Sequence, residues 1–144
     1  MRYRRLAAPA ASGWLALGVA LATLAPALAR APEQPPVANP IWVTTPDSYT
    51  LSFFYPDKAA RMGKTGETTA ACKVVSDGQL IDCKIVAETP IGLGFGPATI
   101  RAVRSCRVNT VDMDGHDITG GSVLASISWR LDGASRFVEP ADEP

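Results

Sequence analysis

Residues 68–87 read TTAACKVVSDGQLIDCKIVA, two apolar-rich runs on either side of Asp77-Gly78. An Asp-Gly dipeptide in that setting is a strong hairpin signal, because a tight turn needs positive φ and glycine supplies it without steric cost. With Asp77-Gly78 as a two-residue loop, Ser76 faces Gln79, Val74 faces Ile81, Cys72 faces Cys83 and Ala70 faces Ile85. One face then carries Ala70, Cys72, Val74, Ile81, Cys83, Ile85 and Ala87. The other carries Lys73, Asp82, Lys84 and Glu88, with Val75, Leu80 and Val86 among them. Such strands are half-buried, with the cysteines toward the core. A cross-strand disulfide is one reading of Cys72 and Cys83; two buried free thiols are the other. A two-residue loop puts them at a hydrogen-bonded pair, where Cα atoms are further apart, and a four-residue loop reverses the pair type.

The compartment decides between bridge and thiols. Arg2, Arg4 and Arg5 form a basic start, an apolar run follows from Leu6, and Ala27-Leu28-Ala29 closes it with a small-x-small pattern. Residues 1–29 therefore read as a secretory signal peptide. The alternative is an uncleaved membrane anchor, since Leu6–Ala29 spans 24 residues. Either way the rest of the chain leaves the cytoplasm, where disulfides persist. Over a loop this short, losing the bridge would cost about 2–3 kcal/mol.

Removing residues 1–29 takes three arginines and no acid from 14 basic and 14 acidic residues, which leaves a net charge of −3 over 115 residues. That is one small domain with no basic patch for nucleic acid. Residues 30–46 are Pro-rich and polar and read as an extended linker of at most roughly 50 Å. Residues 133–144 are acidic, contain proline and read as a flexible tail.

Between these limits, 47–132, the elements follow in order. Residues 48–54 (SYTLSFF) fit a strand or a helical turn. Pro56 to Gly63 predicts a short helix, proline first and glycine as its left-handed stop, with Ala59 and Met62 inward. After the hairpin, Gly96 is the expected N-cap and Pro97 the first residue of a helix to Ser105. Phe95 and Ile100 fit a hydrophobic staple, and Ala98, Ala102, Val103 and Cys106 a buried stripe. Residues 123–131 (VLASISWRL) alternate: Val123, Ala125, Ile127, Trp129 and Leu131 inward, Leu124, Ser126, Ser128 and Arg130 outward.

Several chemistries find no support. The glycines of 89–97 lack a following Gly-Lys-Ser/Thr. Asp112, Asp114 and Asp117 lack a complete calcium loop and its final Glu. His116 is the only histidine and has no ligand partners at a recognisable spacing, and no serine-nucleophile motif appears. A redox role for Cys72, Cys83 and Cys106 is disfavoured, because reactive pairs sit close together near helix N-termini rather than mid-strand. The expectation is a protein without catalytic residues, metal or cofactor.

The order of these residues resembles the C-terminal domain of the TonB family. The matching features are Tyr55-Pro56 with Ala59, Ala60, Arg61 and Gly63; Gly66; the Asp77-Gly78 hairpin; Glu88-Thr89-Pro90; Gly94-Phe95-Gly96 before an Ala-containing helix; Asp114-Gly115; and Trp129 in the closing strand. Cys106 stands where the family has an aromatic residue. The resemblance implies an α+β fold, two helices packed on a small three-stranded antiparallel sheet. It implies a periplasmic, non-enzymatic module that binds an extended peptide by adding it to a sheet edge, here the last strand with Leu124, Ser126, Ser128 and Arg130. The implied partner is a TonB-dependent outer-membrane receptor or another envelope protein. Family members that transduce energy keep a membrane anchor and a long periplasmic spacer; that role would require residues 6–29 to stay uncleaved, and the linker here is short.

Overall fold

The expected hairpin forms, and the details that differ from its simplest register determine which face each residue takes. A computed structural model describes residues 34–139. The signal-peptide or anchor segment and the last five residues lie outside the described residues. Among the described residues no helix is long and apolar enough to cross a membrane.

Strand β1 is Trp42–Thr44, and helices α1 (Ser48–Phe54) and α2 (Asp57–Arg61) follow. The hairpin is β2 (Gly66–Val74) and β3 (Leu80–Thr89). Helix α3 (Phe95–Val103), β4 (Arg107–Val108), β5 (Ser122–Trp129) and β6 (Arg136–Val138) complete the chain. The main sheet is antiparallel in the order β3-β2-β5-β6, and β1 pairs with β4 in a second small sheet. The α+β class and the helices-on-sheet layering are as expected. The sheet gains a fourth strand from residues read as tail, and β1 comes from the stretch read as linker.

The hairpin loop has three residues, Ser76-Asp77-Gly78. Val75 N–H donates to the Gln79 carbonyl at 3.0 Å, and Gly78 takes φ 77°. This pairs Val74 with Leu80 and Lys73 with Ile81. Leu80 is therefore in the core and Ile81 is 39% exposed, the reverse of the two-residue register. What selects the longer loop lies elsewhere in the chain: Val108 N–H donates to the Gly78 carbonyl at 3.0 Å, and Gln79 bridges to Arg107. The register then shifts twice, between Ala71 and Lys73 and between Thr69 and Ala70. At the first shift Asp82 and Cys83 together oppose Cys72, and Asp82 takes φ 50°. This bulge returns Cys83 and Ile85 to the core side. The Cys72–Cys83 disulfide is present, with Cα atoms 4.1 Å apart. The three-residue loop alone would set Asp82 opposite Cys72; the bulge brings Cys83 there.

The second bulge, at Val86, turns Glu88 inward, although simple alternation points it to solvent. Its Oε1 accepts from Gly96 N–H at 3.1 Å and so satisfies a free donor in the first turn of α3. The N-cap of α3 is Gly94, at φ 93°, two residues earlier than expected. Phe95 is thus inside the helix and fully buried rather than a staple outside it. Its ring lies on Gly66, where an added Cβ would stand 2.5 Å from Phe95 Cε2. Ala98, Ala102, Val103 and Cys106 are buried as expected.

Residues 48–54 are helical: Asp47 Oδ1 accepts from Thr50 N–H at 2.8 Å, and Leu51 is buried. Ala59 is buried, but Met62 is 53% exposed because α2 ends at Arg61 and Met62 is its C-cap. Trp129 closes the core, with its Nε1–H donating to Thr99 Oγ1 at 3.1 Å and Tyr55 edge-on at 5.9 Å. Leu131 lies beyond the end of β5 and is exposed.

Candidate peptide-binding edge

Two strand flanks bound the main sheet, and they differ. On one side lies β3, ten residues with two bulges, a left-handed Asp82, and exposed Lys84 and Asp82. Bulges and charges of this kind protect an edge against further pairing. On the other side β5 runs against β2 without interruption, from Gly66↔Trp129 to Lys73↔Ser122.

The Ser122 carbonyl accepts from Val37 N–H at 2.8 Å, while the neighbouring Gly121 carbonyl is bonded to Val74 of β2. Backbone groups alternate along a strand, so Ser122, Leu124, Ser126 and Ser128 direct theirs away from β2. That outward row is the acceptor a strand-adding ligand needs. β6 occupies part of it, with Ser126↔Val138, Ile127↔Phe137 and Ser128↔Arg136.

The four sequence-derived site residues lie along this flank in different settings. Leu124 and Ser126 are half-buried, and the Ser126 hydroxyl is 2.9 Å from that of Thr69. Ser128, expected to face out, is only 4% exposed; its Oγ accepts from Arg130 Nε at 3.1 Å. Arg130 also stands 3.7 Å from Glu67 across the strand end, a largely exposed pair of little energetic weight.

The residues missed from the sequence are Ser135 and Arg136-Phe137-Val138. Ser135 is buried; its Oγ accepts from Arg130 N–H at 2.8 Å and donates to the Arg130 carbonyl at 3.0 Å. It thereby closes the turn through Asp132-Gly133. The signal was present: a third Asp-Gly, Asp132-Gly133, followed by Phe-Val, the same turn-plus-strand pattern as the first hairpin. Phe137 lies on the helix side of the sheet, beside Ile127, with Trp42 at 4.6 Å edge-to-face.

The remaining candidates lie after α3 and in the stretch between β4 and β5. Asp112, Asp114 and His116 bring ligand atoms within 4.8 Å of one another. Their polar groups serve the turn: Asp112 Oδ1 accepts from the backbone N–H of Asp114 and of His116, and Asn39 Nδ2 donates to Asp114. The His116 N–H bond is the main cause holding the Asp112 carboxyl below its ordinary value of 3.8. A depressed carboxyl contributes its stabilisation above the unfolded pKa and loses it as pH falls through the folded value. The His116 amide shift should therefore titrate with a midpoint below 3.8; a midpoint at or above 3.8 by NMR contradicts this turn geometry.

Cys106 is buried, and burial pushes its thiol up to about 12. The native chain at pH 8 should not react with an aromatic disulfide reagent, and unfolding in guanidinium should release one reactive thiol. A native chain that titrates one thiol within minutes would contradict this placement.

The architecture is an α+β domain, helices packed on an antiparallel sheet with one regular strand flank. The family described as Gram-negative bacterial TonB protein C-terminal matches residues 52–131, more than half of the chain, and the chain belongs to that family. It is thus a TonB-like interaction module of the Gram-negative envelope, in a family whose domains are periplasmic. No curated protein sequence matches the chain.

Proposed function

We propose that this domain is a non-enzymatic periplasmic module that binds an extended segment of another envelope protein by strand addition along the outer flank of β5. An outer-membrane receptor of the TonB-dependent type is the partner in view. Backbone groups of residues 122–128 supply the hydrogen bonds, and Leu124, Ser126, Ser128 and Arg130 face the added strand or border it. The observation that carries the reading is the asymmetry of the sheet. The β3 flank is bulged twice and charged, whereas β5 is regular and is covered at Ser122 by Val37 and at Ser126–Ser128 by β6, with Leu124 between them.

Titrating the 15N-labelled full chain with a TonB-box peptide tests the reading. Shifts should centre on Ser122–Arg130 and on the β6 residues. Shifts confined to β3, or none at millimolar peptide, would rule it out.

A further inference from the structure

β6 has the position, length and chemistry of a ligand. We propose that Arg136-Phe137-Val138 is a resident stand-in for the partner strand, and that Phe137 defines what the edge selects: an extended segment with a large apolar, preferably aromatic, side chain at its centre. This rests on β5 being the acceptor edge. Four observations support it.

First, both elements that cover the edge, β6 and the segment holding Val37 and Trp42, lie outside the family match at 52–131. Both converge on one flank of the sheet. Second, β6 makes three residue pairs with β5, whereas β2 makes eight. Each pair contributes little, so a three-residue strand is the cheapest one in the sheet to release.

Third, the side-chain geometry is that of a specificity pocket. Phe137 sits opposite Ile127 and therefore on the helix side of the sheet, and it meets the Trp42 ring edge-to-face at 4.6 Å. Arg136 and Val138, on either side of it, point to the other face. The central position is thus apolar and aromatic-walled, while of its neighbours Arg136 is exposed and Val138 half-buried. Trp42 is held by β1, which pairs with β4 through only Trp42↔Val108 and Thr44↔Arg107. Fourth, Trp42 Nε1 is buried without a hydrogen-bond partner among the described residues. A buried N–H left unmade is unfavourable, so the ring that walls Phe137 carries one unmet donor in the present arrangement.

A tethered strand competes with any incoming one at the high effective concentration set by its short loop. Apparent affinity for a free peptide falls by the fraction of time the edge stands open. The test uses two variants: the chain ended after Gly133, and the full chain with Val138→Pro. The second keeps Ser135 and removes the N–H that Val138 directs at β5. The probe is a synthetic peptide of residues 134–139, ASRFVE, beside its Phe137→Ser version.

In both variants the amides of Ser126 and Ser128 should lose hydrogen-exchange protection, while Ala125 and Ile127, bonded to β2, keep theirs. Added ASRFVE should restore the protection. It should bind the variants at least about tenfold more tightly than the full chain. The Phe137→Ser peptide should bind at least about tenfold more weakly than ASRFVE.

If receptor peptides bind β5 equally well in the full chain and both variants, the stand-in is overturned and the peptide-binding reading survives. Equal binding of ASRFVE and its Phe137→Ser version overturns the assigned ligand chemistry. If the variants keep their fold and take no strand at all, both readings fall.

Discussion

Replacing Trp129 by alanine should destabilise the domain by about 4 kcal/mol, the range for truncating a fully buried tryptophan. Trp129 is 0% exposed at the end of β5, and its ring packs near Tyr55 and Phe95. Two of its neighbours are fixed in place: Phe95 is pinned against Gly66, and Thr99 is fully buried on α3. The hydrogen bond from Trp129 Nε1 to Thr99 Oγ1 adds a second measurable effect. Trp129→Phe strands the Thr99 hydroxyl, and Thr99→Val strands the indole N–H; each leaves one buried polar group unpaired, at about 1–3 kcal/mol. The double variant removes both and should cost less than the sum of the singles. Chemical denaturation followed by far-UV circular dichroism reads all four chains. Strict additivity would mean that the bond does not hold α3 to β5.

Gly78→Ala should cost about 3 kcal/mol and lower the melting temperature by roughly 10–15 °C. Two effects combine. At φ 77° an alanine is strained by about 1–2 kcal/mol, and its Cβ would stand 2.1 Å from the Val108 carbonyl oxygen. Either the hairpin tip or β4 must move, and the Val108–Gly78 hydrogen bond goes with it. Gly63→Ala is the control: its φ is also positive, 61°, but nothing lies within 4 Å of the added Cβ. It should cost about 1 kcal/mol. Equal losses for the two variants would show that β4 does not hold the turn.

That contact explains how far the hairpin was legible. Asp77-Gly78 and the apolar runs announce two paired strands, and the cysteines announce their approximate alignment. A two-residue loop and a three-residue loop both satisfy this local pattern. They differ in whether Leu80 or Ile81 enters the core. The choice falls to β4, about thirty residues further along the chain, which bonds to Gly78 and Gln79. The bulges at Asp82 and Val86 then repair the alternation so that Cys83, Ile85 and Glu88 face the helices. No period-2 count can foresee a bulge, because it is a break in that count.

The candidate edge was legible in the same partial way. Alternation over 123–129 correctly places Val123, Ala125, Ile127 and Trp129 in the core. Ser128 was assigned to solvent because serine is polar and odd-even counting put it outside. The Arg130 side chain and β6 cover it instead. The tail was read from its proline and acids, which describe residues 139–144, and that composition masked the turn and strand at 132–138.

The α+β layering was implied by the family resemblance; by itself, the sequence determined the order of the elements, the strands that pair locally, the helix with its Ala98–Ala102 stripe, and the partners of the disulfide. These follow from periodicity, turn chemistry and capping, which act over a few residues. Only the tertiary structure decided the hairpin register, the inward turn of Glu88 onto Gly96, and the cover over the outer flank of β5. The first and last rest on backbone groups meeting partners far along the chain, Gly78 with Val108 and Ser122 with Val37, and the second on a bulge that aims the Glu88 carboxylate at Gly96 N–H. A backbone donor or acceptor looks the same at every residue, so nothing in a side-chain pattern says which distant one it will meet.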